Sequence, residues 1–114
     1  MNPTEYRRGE LYWANLDPSL GLKASKTRPV LIVSANTNNI GAATLTVLPL
    51  SSSTHRLYDF EVYVEHERLS KPSKIQAQHI RTIDKRRVSD FIGLVSETDL
   101  ELVEQAIKLH LALT

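Results

Sequence analysis

An α+β chain that is mainly β is predicted: a small, strongly bent antiparallel sheet or barrel, closed off by one C-terminal helix. Three observations carry this. Five or six short strand-like runs alternate with turn signals, one β-branched apolar run is too short for a helix, and only the final stretch keeps a helical period. With 114 residues, 41% hydrophobic and 24% charged, the chain has the size and composition of one domain, residues 1–114.

Taken in order, "GELYWANL" (Gly9 to Leu16) reads as a short aromatic-rich strand, and "DPSLG" after it supplies turn punctuation. The loop continues through "LKASKT" to Pro29, whose missing N–H confines it to a strand start or an edge. Val30 to Val33 form the core strand, apolar on both faces. "ATLTVLPL" sets Thr44, Thr46 and Leu48 against Leu45, Val47 and Pro49. "DFEVYVE" sets Phe60, Val62 and Val64 against Asp59, Glu61, Tyr63 and Glu65, so both runs predict half-buried strands. "SKIQAQHI" is a weaker strand, "TIDKRRV" one helical turn, and "SDFIGLVS" returns to extended structure. Ser96 and Asp99 then open an amphipathic helix whose apolar face is Leu100, Val103, Ile107 and Leu111.

Charge is segregated although the net formal charge is only +1. Between Pro18 and Tyr58 there is no acid, while Lys23, Lys26, Arg28 and Arg56 fall there. From Arg68 to Arg87 seven basic residues face Asp84 alone, and from Val88 onward acids dominate. Such a distribution suits a cationic groove for phosphates with an acidic back.

Several function classes lose support. There is no GxxxxGK[ST], GxGxxG, HExxH or GxSxG pattern, which argues against nucleotide-binding, zinc and serine-hydrolase chemistry. Cysteine is absent, and His55, His66, His79 and His110 lack ligand spacing, so no metal and no cofactor is expected. Nothing in the spacing brings His55 and His79 together, as a paired-histidine phosphotransfer enzyme would need. "MNPTEYRRGE" has no apolar signal region and no window approaches a membrane span, so a soluble, cytoplasmic protein with no membrane partner is expected. A chain this short gains stability from a second copy, which makes a homodimer a natural expectation.

"RRGELYWANLDPSLG", "TRPVLIV", "VLPLSSS", "FEVYV" and "IRTIDKRRV" stand in the order and spacing of the MazF/PemK toxins, and the chain resembles that family over nearly its whole length. The resemblance implies an SH3-like β-barrel of the CcdB/MazF/PemK type with a C-terminal helix, usually a homodimer. It implies a toxin of a type II toxin–antitoxin pair that cuts single-stranded mRNA without metal, leaving a 2′,3′-cyclic phosphate and a 5′-hydroxyl. Its partner would be a cognate antitoxin whose acidic, partly disordered tail fills the cationic groove. The family's arginine before proline maps onto Arg28, and its small hydroxyl residue after the third strand onto Ser51.

Bottom-up chemistry agrees with that mapping. Attack by a ribose 2′-hydroxyl places extra negative charge on the phosphate, and a guanidinium at the mouth of a rigid strand is a forked, permanently charged donor to two of its oxygens. Arg28 is thus expected to act by electrostatic stabilisation rather than as a general base. Ser51 can donate a hydroxyl hydrogen bond to the same phosphate or orient the nucleophile, with Ser52 beside it. Lys23 and Lys26 are candidate phosphate clamps on the loop that, in the family, is mobile and covers the site; Arg81 and Arg86 are candidate backbone contacts. Two departures stand out. The loop reads "LKASK" where the family often has Ser-Glu-Gln, and Gln78 with His79 replaces an acid and a glutamine. The acid's role therefore does not carry over to Gln78, while His79, as an imidazole, is suited to proton transfer. Two other classes stay open: a CcdB-like gyrase poison, weakened because the chain ends "LHLALT" and lacks a Trp-Gly-Ile-type tail, and a catalytically inactive RNA-binding relative.

Overall fold

The computed structural model describes residues 5–16 and 26–113. Its elements run β1 (Glu10–Asn15), β2 (Thr27–Ile32), α1 (Asn36–Gly41), β3 (Thr44–Ser51), β4 (Glu61–Val64), β5 (Ser73–Gln76), β6 (Arg81–Asp84), β7 (Val88–Leu94) and α2 (Glu97–Leu111). The strands pair antiparallel in the order β4-β5-β3-β2-β1-β7, with β6 also on β3.

β3 bends the sheet because it serves two partners along one edge. Thr44 to Val47 pair with β6, and Leu50 to Ser51 pair with β5. Pro49 lies in the gap between those ladders, where β3 changes neighbours. Pro29 is tolerated for a related reason: it faces Trp13 of β1, but the ladder to β3 starts only at Val30↔Pro49.

β2 has the two buried faces its composition predicts. Leu31 belongs to one core cluster, with Leu11, Leu48, Ile75, Ile92 and Val103. Val30 and Ile32 belong to a second, with Tyr12, Ala14, Leu45, Val47 and Ile83. Val30, Leu31 and Ile32 are each 0% exposed, so the strand is clamped from both sides. α2 closes the first cluster: Asp99 N–H donates to Ser96 Oγ at 3.0 Å at its start, and Val103 and Ala106 are buried. Arg8 ties the N-terminal segment to this helix, donating to Glu104 at 2.6 Å and to the Val33 carbonyl.

Three expectations need correction. "TIDKRRV" is not a helical turn from its start: β6 is extended because its backbone pairs with β3, and the Thr46 and Thr82 hydroxyls bond across at 3.0 Å. Only Lys85–Arg87 make a 3-10 turn, capped by Asp84, which accepts from the Arg86 N–H at 2.8 Å. Leu111 is 45% exposed, and the last turn of α2 instead sets His110 edge-on against Phe60, with centroids 5.0 Å apart. Glu61, placed on the solvent face by alternation, is 6% exposed. Helix α1, to which the sequence reading assigned nothing, is held by buried Asn39, which accepts from Ser34 Oγ at 2.5 Å and donates to the Ser34 carbonyl at 2.9 Å. Among the described residues no helix is long and apolar enough to cross a membrane.

Candidate active site and nucleic-acid interface

The start of β2 and the end of β3 meet at one rim of the sheet. Arg28 lies opposite Ala14 of β1, exposed, two residues before the fully buried part of β2. The β2–β3 register pairs Val30 with Pro49 and Leu31 with Leu48. Continued two residues outward, it sets Ser51 across from Arg28. The strand thus fixes the backbone beneath Arg28 while its side chain stands outside the core.

Two cavities flank this pair, and both are lined by Arg28 and Ser51. The first, of about 350 Å³, adds Trp13, Ser52, Ser53, Ser70 and Lys71. The second, of about 600 Å³, adds Gln76, Gln78, His79 and Arg81. Among the described residues no acid lines either one. Among the described residues the Arg28 guanidinium makes no ion pair and no hydrogen bond, and the residue is exposed and lines both cavities. Ser51 Oγ accepts the Ser53 N–H at 3.1 Å, which leaves its own hydroxyl proton to donate into the site.

Sequence-predicted residues divide by position. Arg28, Ser51, Ser52, Gln78, His79 and Arg81 converge on the two cavities. Arg81 also donates to the Leu16 carbonyl at 3.2 Å, which holds it at the second cavity's wall. Lys26 precedes β2 and lines neither cavity, and Lys23 lies outside the described residues. Arg86 is not brought in. It follows β6, beyond the Thr44 end of β3, and its guanidinium grips Asp84 at 3.1 and 3.2 Å, holding that carboxyl below the usual range. His55 is engaged by Ser53 Oγ at 3.3 Å while His79 lines the second cavity, and among the described residues no hydrogen bond joins them. Among the described residues no three His, Asp or Glu side chains gather as a metal site would need.

Sequence reading missed Lys71, Trp13 and Gln76 at the rim, and above all Glu61 behind it. Lys71 was visible as part of the second basic block; nothing in the alternation of β4 set Glu61 apart. Its carboxylate takes four donors: Tyr58 N–H at 2.9 Å, Lys74 Nζ at 2.9 Å, Gln76 Nε2 at 3.1 Å and Gln78 Nε2 at 2.7 Å. Burial alone pushes this carboxyl up, but the four donors outweigh it and hold it down to about 2. Lys74 further donates to the Arg56 carbonyl at 2.9 Å, so both members of the buried pair are satisfied.

The arrangement can hold a phosphodiester at Arg28 and Ser51 with one neighbouring nucleotide in each cavity. Residues 7–111 match the family model described as PemK-like, MazF-like toxin of type II toxin-antitoxin system. The chain is 36% identical to endoribonuclease MazF9 of Mycobacterium tuberculosis, covering 94% of this chain and 97% of that one. It is 32% identical to endoribonuclease MazF of Staphylococcus epidermidis, covering 94% and 92%. In fold it matches a MazE-MazF crystal structure from Deinococcus radiodurans with TM-score 0.82 at 23% identity, covering 98% and 100% of the two chains. A mycobacterial endoribonuclease in complex with its cognate antitoxin matches with TM-score 0.79 at 24% identity, covering 96% and 97%.

Proposed function

We propose that this chain, which belongs to the PemK-like, MazF-like toxin family of type II toxin–antitoxin systems, cuts single-stranded RNA where its two rim cavities join. It is an endoribonuclease toxin, as its curated relatives are. The finer reading is metal-independent transesterification. The ribose 2′-oxygen attacks the neighbouring phosphorus, the bond to the 5′-oxygen breaks, and the ends are a 2′,3′-cyclic phosphate and a 5′-hydroxyl. One proton leaves the 2′-hydroxyl and one reaches the departing 5′-oxygen.

Arg28 supplies the charge for this step. Its fork meets two phosphate oxygens as negative charge builds, in a site where no carboxylate competes among the described lining residues. Ser51 donates its hydroxyl to the same phosphate. His79, an imidazole lining the second cavity, is assigned as proton carrier, while Lys71 and Arg81 hold the flanking phosphates. Lys23, Lys26 and Ser52 serve the backbone of the same strand; Arg86, committed to Asp84, contributes only general field.

The observation that carries this reading is the Arg28 guanidinium, unpaired among the described residues, lining the same two cavities as Ser51. Supporting partners follow. A cognate antitoxin with an acidic segment matches the cationic rim, as MazE accompanies MazF in the related structures. The whole chain acts as one toxin domain in the cytoplasm, as a homodimer joined through the exposed apolar residues Leu57, Tyr63, Leu102 and Leu109 between β4 and α2. Incubating a long RNA with excess EDTA tests the chemistry: cutting continues, and Arg28→Ala abolishes it with the fold intact by circular dichroism.

A further inference from the structure

We infer that Glu61 is a positioning residue for RNA cleavage: through Gln78 its buried carboxylate fixes the turn that sets His79 at the second cavity. This deepens the nuclease reading above and rests on it.

The inference starts from the His79 ring. It lines the second cavity, yet among the described residues no hydrogen bond, ion pair or ring contact holds it. Where it stands is therefore decided by the backbone beneath it, the 3-10 turn Ala77–His79. The bond that closes this turn runs from the Ile80 N–H to the Ala77 carbonyl at 3.2 Å, and three residues in 3-10 geometry are too few to be rigid alone.

β4 holds the turn at three successive residues. Gln76 pairs with Glu61 across the β4–β5 ladder, and its Nε2 donates to Glu61 Oε2 at 3.1 Å. The N–H of buried Ala77 donates to the Phe60 carbonyl at 3.0 Å. Gln78 Nε2 donates to the same Glu61 oxygen at 2.7 Å. One carboxylate oxygen thus ties the last residue of β5 to the middle of the turn, and His79 is the next residue. A hydrogen bond to an ionised acceptor is roughly twice as strong as one between neutral groups.

The carboxylate is itself held in place. Lys74 Nζ and the Tyr58 N–H, each at 2.9 Å, occupy its other oxygen, Oε1, and Lys74 also donates to the Arg56 carbonyl at 2.9 Å. Lys74 pairs with Ser51 across β3 and β5, so a brace that ends at Gln78 begins on the strand beside Ser51. With both oxygens engaged twice and the residue buried, Glu61 can act on RNA only through the groups it holds. Placement matters at this site because a proton carrier displaced by about 1 Å can cost roughly a hundredfold in rate.

The test uses the full chain, a long natural RNA for single-turnover cleavage, and a 2′-O-methyl oligonucleotide copied from a mapped cut site for binding, read by fluorescence anisotropy. Gln78→Met removes the link and leaves Glu61 paired with Lys74. It should keep the oligonucleotide affinity within about twofold and slow cleavage by roughly ten- to a hundredfold. His79→Ala should slow cleavage by roughly a hundredfold. Combining the two should slow it no further, because a group already removed cannot be misplaced. Glu61→Met with Lys74→Met replaces the buried pair by apolar side chains and should reproduce Gln78→Met; if that double variant does not fold, Gln78→Met and His79→Ala decide alone. Ser96→Ala, which weakens the fold at the start of α2, should leave the cleavage rate unchanged while the protein is folded. Undiminished cleavage in Gln78→Met or in His79→Ala, a loss of affinity as large as the loss of rate, or losses that multiply in the combined variant overturns the inference. Any of these beside active unaltered protein sinks only the positioning role, whereas unaltered protein that does not cut sinks the nuclease reading and this inference with it.

Discussion

In the proposed reading a single guanidinium, that of Arg28, decides the chemistry, and its two attributes can be separated. Arg28→Lys keeps the charge but gives up the planar fork, so it should retain RNA binding while cutting falls by roughly a hundredfold, the loss typical of one preorganised donor to a developing oxyanion. Single-turnover cleavage beside binding of a non-cleavable oligonucleotide checks it. Lys71→Ala and Arg81→Ala should each weaken binding and reduce the slope of log affinity against log salt by roughly 0.7, one phosphate apiece on a single strand. Glu61 speaks to pH instead. Its carboxyl is held down to about 2 in the fold, against an ordinary value of 4.5, so the native state binds fewer protons than the unfolded chain in that interval. The stabilisation it lends is fully present above pH 4.5 and is lost as pH falls toward 2. Acid titration of unaltered protein and Glu61→Gln, followed by circular dichroism, should show the difference between them shrinking across that window. Lys74→Met strands the same carboxylate without its cation and should destabilise by about 3–5 kcal/mol in chemical denaturation.

Each element's behaviour follows from which of its backbone edges and faces are occupied. β2 was readable because Val30 to Ile32 are apolar in succession and sit in two clusters at once. Leu31→Ala should accordingly cost about 2–5 kcal/mol, measured by urea unfolding. α2 was readable through its Ser96 cap and its Val103 stripe; Ser96→Ala should cost about 1 kcal/mol. What the sequence did not disclose depends on partners distant in the chain. The alternation of β4 marks Glu61 as solvent-facing, and only the arrival of Lys74, Gln76 and Gln78 from the next strand and turn makes its burial tolerable. β6 looked helical because "DKRR" has no strand signature, yet a long β3 offered it an open edge. The site was legible in the same uneven way. Arg28 and Ser51 stood out through the motif resemblance and the acid-free stretch around them, whereas the fate of Arg86 turned on Asp84 two residues away.

At the scale of the whole molecule, the basic rim and the acidic C-terminal part are placed by topology: Arg28, Lys71 and Arg81 gather where β2 begins and β3 ends, and α2 carries its acids elsewhere. A homodimer through the β4–α2 face should be visible by sedimentation. Leu102→Glu combined with Leu109→Glu, both at exposed positions, should yield a folded monomer. The central claim is that an unneutralised Arg28 and the neighbouring Ser51 make a phosphate-cleaving site. It is tested most directly by cutting a long RNA in excess chelator and determining the chemistry of the new ends, for the unaltered protein and for a folded Arg28→Ala. The account predicts chelator-resistant cleavage to 2′,3′-cyclic phosphate and 5′-hydroxyl ends, lost by at least a hundredfold in Arg28→Ala. Cleavage that EDTA stops, or that proceeds undiminished without Arg28, would contradict it.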